Sequence, residues 1–160
     1  MVHRQLAANA SRILDRRVIR LTDLPIAFTA QGWGKLNFNR NVMGRRFKVG
    51  GSEFDTFGFG THANSIIQFD VSQYPGAQLS ASVGRDESAG RNLWNNTIIA
   101  EVWVDGEVVY RSDSLDSKTD PQKVRVKVSG DTLSLVIHQD RDGGGGDHAD
   151  WLEPRLELSN

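Results

Sequence analysis

The chain has 160 residues, 19 Lys+Arg against 20 Asp+Glu, a formal net charge of −1, 38% hydrophobic residues and no cysteine. That length suits one domain with its own core, and the composition is too apolar and too balanced for a disordered chain. No run approaches the roughly 18 apolar residues of a membrane span. Zero cysteines exclude a disulfide framework, a cysteine zinc site, a thiol nucleophile and attached c-type haem. Near-neutral charge argues against a general nucleic-acid binder, which needs a basic face.

The charge is unevenly spread. Residues 1–80 carry ten basic and five acidic side chains, and residues 81–160 carry nine and fifteen. Residues 1–17 read as a basic leader before a domain over 18–160. Leu6, Ala10, Ile13 and Leu14 fall at helical spacing, so the leader is expected to be a short helix or an extended end. Asn9, Ser11 and Arg12 interrupt the apolar stretch that a secretion signal needs.

From Val18 onward the pattern is that of strands. Val18–Leu21 opens a short one, punctuated by Asp23 and Pro25. Residues 26–45, rich in Gly, Asn and aromatics, read as irregular. Phe47 and Val49 alternate up to Gly50-Gly51. Ile66–Val71 and Leu79–Val83 alternate as half-buried strands. Ile98–Val104 and Glu107–Tyr110 flank Asp105-Gly106, the expected two-residue hairpin turn, whose central positions need positive φ. Val124–Val128 and Leu133–Ile137 read as a second pair turned at Ser129-Gly130-Asp131, and Arg155–Leu158 closes the series. Short, evenly spaced strands without βαβ alternation predict an all-β protein: an antiparallel β-sandwich, most simply a jelly roll.

In such a scaffold the loops carry function. Three stand out: Gly32-Trp33-Gly34, Gly58 to Asn64, and Asp140 to Trp151. The last places Asp140, Asp142, Asp147 and Asp150 within eleven residues. Such a cluster suits Ca²⁺, which takes six to eight oxygens, or a solvated acidic loop paired with Arg141 and Arg155. It is not an EF-hand, because the twelfth position is Trp151 rather than a bidentate Glu. His62 and His148 lack zinc-motif spacing. Trp33 and Trp151 offer flat rings for stacking on a sugar, with Asp, Asn and His nearby for its hydroxyls, or they plug an end of the sandwich. Trp94 and the mid-strand Trp103 are further aromatic candidates. No G-x-S-x-G elbow and no phosphate loop are present, and two sequons, Asn9-Ala10-Ser11 and Asn95-Asn96-Thr97, occur.

Five segments in order resemble one family. They are Leu21-Thr22-Asp23-Leu24 with Gly32-Trp33-Gly34; Gly58-Phe59-Gly60-Thr61-His62-Ala63-Asn64-Ser65; Ala81-Ser82-Val83-Gly84-Arg85-Asp86; Val102-Trp103-Val104-Asp105-Gly106; and Asp147-His148-Ala149-Asp150-Trp151. The pattern resembles the NPCBM family of carbohydrate-binding modules over about residues 20–158. The resemblance implies a galactose-binding-domain-like jelly roll without catalytic activity. It implies glycan ligands, galactose-containing ones among them, and attachment to a longer extracellular or periplasmic protein. Under it the expected sugar contacts are Trp33, His62, Asn64, Asp147, His148 and Trp151. The expected ligands of a structural calcium ion are Asp86, Asp140, Asp142 and Asp147. Arg85, the polar 88–97 segment and the leader depart from the family pattern. The competing expectation is a structural or protein-interaction sandwich that binds no sugar.

Overall fold

The computed structural model describes residues 16–90, 96–140 and 145–159. Its strands are β1 (Arg16–Arg20), β2 (Phe28–Gln31), β3 (Asn37–Phe38), β4 (Phe47–Val49), β5 (Ser52–Phe54), β6 (Gly58–His62), β7 (Ser65–Asp70), β8 (Gln78–Arg85), β9 (Ile98–Val104), β10 (Glu107–Arg111), β11 (Gln122–Lys127), β12 (Thr132–Gln139) and β13 (His148–Ser159). One sheet runs β11-β8-β13-β6-β3, with β1 also paired to β13; the second runs β10-β9-β12-β7-β2; β4 and β5 form a small hairpin. All pairings are antiparallel. The expected helix in the leader lies outside the described residues. The first strand begins at Arg16, two residues before the alternation becomes readable in the sequence.

The two sheets are held by their inner faces. Leu79, Ala81 and Val83 of β8 and Ala149, Trp151 and Leu156 of β13 meet Ile67 and Phe69 of β7, Val102 of β9 and Leu133 and Leu135 of β12 in one buried cluster. Period-2 alternation sends these residues inward and their neighbours outward. Each large side chain so buried contributes about 1.5–3 kcal/mol. The β9–β10 turn matches expectation: Asp105 and Gly106 have φ of 50° and 81°, the left-handed pair that suits the twist of the flanking strands.

Four expectations are corrected. Gly58–His62 is not a loop but a strand buried along its whole length. Its glycines hide it from pattern reading, yet they are what lets it fit. A Cβ on Gly60 would collide with the backbone of Arg40 and Asn41, which cross directly over the strand. Residues 26–45 contain two strands, β2 and β3. Three of the four β2 residues are exposed, so this edge strand shows no apolar alternation. Val124–Val128 and Leu133–Ile137 do not form a hairpin. Strand β11 pairs with β8 in one sheet and β12 with β7 and β9 in the other, so residues 128–131 cross between sheets. Finally, Trp151 lies within β13 rather than in a loop.

The outer face of the second sheet carries a buried carboxylate. Glu101, 4% exposed, accepts hydrogen bonds from Arg111 Nη1 at 2.9 Å and Trp103 Nε1 at 3.4 Å, and bonds to His138 Nε2. Burial pulls this carboxyl's pKa upward, but His138, Arg111 and Trp103 outweigh it and hold the group below its ordinary value. A carboxylate with a lowered folded pKa stabilises the fold above its unfolded pKa, and that stability is lost as pH falls through the folded value. Glu101→Gln is therefore expected to cost about 1–2 kcal/mol at pH 7 and to flatten the acid side of a stability–pH profile followed by urea unfolding. Gly60→Ala is expected to cost about 2–4 kcal/mol, because backbone must shift. Gly106→Ala, with open space around the new methyl, should cost about 1 kcal/mol for its positive φ alone. Thermal unfolding of the two variants checks that order.

Candidate functional site

At one end of the sandwich, the turn after β6, the end of β12 and the start of β13 surround a cavity of about 630 Å³. Trp33, His62, Asn64, Gln139 and His148 supply its side chains, and Gly145 and Gly146 line it from the segment before β13. Among the described residues, none of the lining side chains is a carboxylate, lysine or arginine.

Strand register builds this site. His148 of β13 lies directly opposite His62 of β6, and the two imidazole centroids are 5.4 Å apart. Trp33 reaches over both rings. Its centroid lies 5.8 Å from that of His148 with the planes 2° apart, and 5.7 Å from that of His62 at 57°. Trp33 is 52% exposed, so part of the ring faces solvent at the mouth of the cavity. Its loop is pinned by Gln31, whose Nε2 donates to the Trp33 carbonyl at 2.7 Å while its Oε1 accepts from Thr61 Oγ1 at 2.9 Å. Asn64 is exposed, and its Oδ1 accepts the Gln139 backbone N–H at 2.8 Å. That bond fixes the amide and leaves its NH₂ to donate elsewhere.

Both histidines are buried and anchored. His62 Nδ1 lies 2.6 Å from the Ala63 carbonyl, and His148 Nδ1 lies 2.7 Å from Ser88 Oγ. Burial, reinforced by His62 and Arg85, pushes the His148 imidazole down to about 4 against the opposing pull of Asp86. The ring is neutral at pH 7, with one nitrogen to donate and one to accept. Aromatic face, amide donor and the two imidazoles together make a rigid hydrogen-bonding surface.

The Asp147–Trp151 segment divides by strand alternation. His148 faces the cavity. Ala149 and Trp151 enter the core, and Trp151 is wholly buried, so the expected sugar-stacking face of Trp151 is absent: its ring is spent on packing the sheets. Asp150, also wholly buried, points to the other side of the sheet. Burial and the neighbouring Asp86 both raise its pKa well above the usual range, which disfavours the charged form. Asp147 is wholly buried too, its Oδ1 3.8 Å from Arg85 Nε, and does not line the cavity. Arg85 Nη2 donates to the Gly146 carbonyl at 2.7 Å, so this buried guanidinium ties β8 to the cavity rim.

Three of the four expected calcium ligands, Asp86, Asp140 and Asp147, lie among the described residues. Asp140 Oδ2 accepts from Thr97 Oγ1 at 2.8 Å and Ser114 Oγ at 2.6 Å. Asp86 accepts from Lys48 N at 2.9 Å, Ser88 N at 2.8 Å and Asn41 Nδ2 at 3.2 Å. Asp142 lies outside the described residues, as does Trp94. Among the described residues, no group of three or more His, Asp or Glu side chains is placed to hold a metal ion. Trp103 sits on the outer sheet face beside Glu101 and does not line the cavity. Gln139, Ser88 and Gln31 went unnoticed in the sequence. Each is an ordinary polar residue whose part depends on a partner 30 to 75 positions away.

Known proteins bear on this site. No curated protein matches the chain. Solved structures do, at 22–25% identity. The CBM51 of the Clostridium perfringens GH95 protein, in complex with methyl-galactose, superposes with a TM-score of 0.77 at 25% identity, over 88% of this chain and 99% of that one. The CBM51-2 and INT domains of C. perfringens ZmpB, in complex with GlcNAc, give 0.81 at 24% identity over 89% of this chain; the match spans 32% of that structure. The tandem CBM51 modules of the family 98 glycoside hydrolase of Streptococcus pneumoniae SP3-BS71 give 0.75 at 22% identity, over 89% of this chain and 47% of that one. All three share the sandwich. The model of the NPCBM/NEW2 domain matches residues 17–157, nearly the whole described chain, and the protein therefore belongs to the NPCBM/NEW2 domain family.

Proposed function

We propose that this chain is a non-catalytic carbohydrate-binding module whose tip cavity holds the uncharged end of a glycan, with galactose-type sugars as the first class to test. The observation that carries the reading is the half-exposed Trp33 ring set over His62 and His148, with Asn64 beside them. An indole face suits the C–H face of a pyranose. The neutral His148 imidazole and the Asn64 amide both give and accept hydrogen bonds, as sugar hydroxyls require. Among the described residues the lining carries no lysine or arginine, which favours a neutral sugar over an acidic one, since a carboxylate would be desolvated there without a cationic partner. The methyl-galactose bound by the GH95 module supports the choice of ligand class. Trp33, His62, Asn64 and His148 are the residues assigned to contact; Trp151 and Asp147 act from beneath by holding β13 in place. In a longer protein such a module would keep attached domains on a glycan surface.

The first test is binding of methyl-galactoside and a panel of neutral glycans to the purified chain by calorimetry, in calcium and again in chelator. Saturable binding is expected, weakened more than about tenfold by Trp33→Ala with the melting temperature unchanged, because the ring is half-exposed. Binding of no glycan, or equal binding by Trp33→Ala, would favour the protein-interaction reading. Loss of binding in chelator would bring an ion into the site. The neutral His148 predicts a pH response as well. The contribution of His148 to affinity should fall as pH passes through about 4, where the ring gains a proton and loses its acceptor. His148→Gln should weaken binding at pH 7 and remove that acid limb.

A further inference from the structure

The outer face of the first sheet carries a groove that the tip site does not use. It runs across β11, β8, β13 and β1, away from Trp33. One part, of about 470 Å³, is lined by Lys123, Arg125, Arg155, Ser80 and Ser82 among others; an adjoining part, of about 530 Å³, shares Thr56, Glu153 and Arg155 with it and adds Arg20.

Register explains its shape and charge. Arg125 of β11 lies opposite Ser80 of β8, Ser80 lies opposite Arg155 of β13, and Arg155 lies opposite Arg20 of β1. Three arginines therefore stand in one row across four strands. In the next row Lys123 lies opposite Ser82. Small hydroxyl residues form the floor and long cationic side chains form the walls. At about 4.8 Å per strand, Arg125 and Arg155 leave the backbone about 10 Å apart with only a serine between them. A β-bulge between Leu152 and Arg155 breaks the β13–β8 register, with Glu153 at a φ of 51°. Bulges re-aim side chains, and here the bulge immediately precedes Arg155.

The carboxylates nearby do not cancel this charge. Glu157 meets Arg155 at 3.3 Å and Arg125 at 3.8 Å. Asp55 is drawn to Arg40 at 3.3 Å and Arg46 at 3.8 Å, and Glu153 accepts from Thr56 Oγ1 at 2.9 Å and lies 4.0 Å from Arg155 Nη1; two carboxylates thus face the four cations of the groove. Among the described residues neither Lys123 nor Arg20 has an ion-pair partner; Arg20 rests on the Phe57 ring at 4.3 Å. Arg125 is 66% exposed; its Nη2 donates to Gln78 Oε1 at 3.2 Å and lies 3.8 Å from Glu157, so most of its guanidinium donors face solvent.

We propose that this groove is a second glycan-binding surface, selective for acidic polysaccharides, whose sulfate or carboxylate groups meet the Arg125–Arg155–Arg20 row and Lys123. Guanidinium groups bind such oxyanions bidentately, and the serine floor supplies hydroxyls to the sugar between successive charges. The choice of a glycan over other polyanions rests on the carbohydrate-module reading, but the groove shares no lining residue with the tip cavity, so the two are separable. A polymer engaged at both surfaces would be held more tightly than at either.

The test uses the full chain, with dextran sulfate as the sulfate-ester probe, polygalacturonate as the carboxylate probe, neutral dextran as control and a DNA duplex as the competing polyanion. At least one acidic polysaccharide is expected to bind, with affinity falling as salt rises, and neutral dextran is not. Lys123→Thr with Arg125→Thr keeps β-favouring residues at two exposed positions of an edge strand and should lower that affinity about tenfold or more. Methyl-galactoside binding should not change in that variant. Trp33→Ala should do the reverse. The proposal is overturned if the double variant, folded by its melting temperature, binds acidic polysaccharide within twofold of the parent. Equal binding of neutral dextran, tighter binding of DNA than of either polysaccharide, or loss of acidic-polysaccharide binding in Trp33→Ala would overturn it too. Failure of methyl-galactoside alone would instead strike the tip-site reading.

Discussion

Strand β13 hydrogen-bonds to β6 on one side and to β8 on the other, and Trp151, packed wholly within the core, locks its register. A slip of one residue would turn Trp151 to the outside and His148 inward. The cost of exposing that indole holds His148 opposite His62, and the pair of rings in turn supports Trp33. The tip cavity is thus a consequence of core packing a few residues away. Its precision comes from strands rather than from loops, which suits a site that must present fixed hydrogen-bonding geometry.

Charge is handled differently at different depths. Among the described residues the cavity is lined by no carboxylate, lysine or arginine, while beneath and beside it lie the wholly buried Arg85, Asp86, Asp147 and Asp150. A buried ion is tolerated only when paired and hydrogen-bonded. Here Arg85 lies near Asp147 and bonds the Gly146 carbonyl, Asp86 takes two backbone N–H groups and an amide, and burial raises the pKa of Asp150 and so disfavours its charged form. These groups join β8, β13, the 39–48 segment and the cavity rim. Their work is to position the backbone beneath the cavity.

The acidic clustering of residues 140–150 and the basic groove show the same separation on a larger scale. Aspartates close in sequence are sent to different places, one toward Thr97 and Ser114, one beside Arg85, one against Asp86. Arginines far apart in sequence, at 20, 125 and 155, are brought into one row by strand pairing. Linear proximity of like charges therefore says little about the ligand a β-sandwich will take. Cross-strand proximity says much more.

What the sequence by itself determined is the fold class, the hairpin at Asp105-Gly106, most core strands and the family, because alternation, turn chemistry and motif order are local properties of the chain. It also marked Trp33, His62, Asn64 and His148, which the fold does bring to one cavity. Tertiary structure decided the rest. Gly58–His62 became a strand only because another segment crosses close above it. Residues 128–131 became a passage between sheets because each flanking strand found a partner distant in sequence. Trp151 passed from the candidate site to the core, and Asp150 from an acidic loop to a buried position within β13. Each depends on what lies across the sheet, and the linear order of residues carries no record of which strand lies next to which.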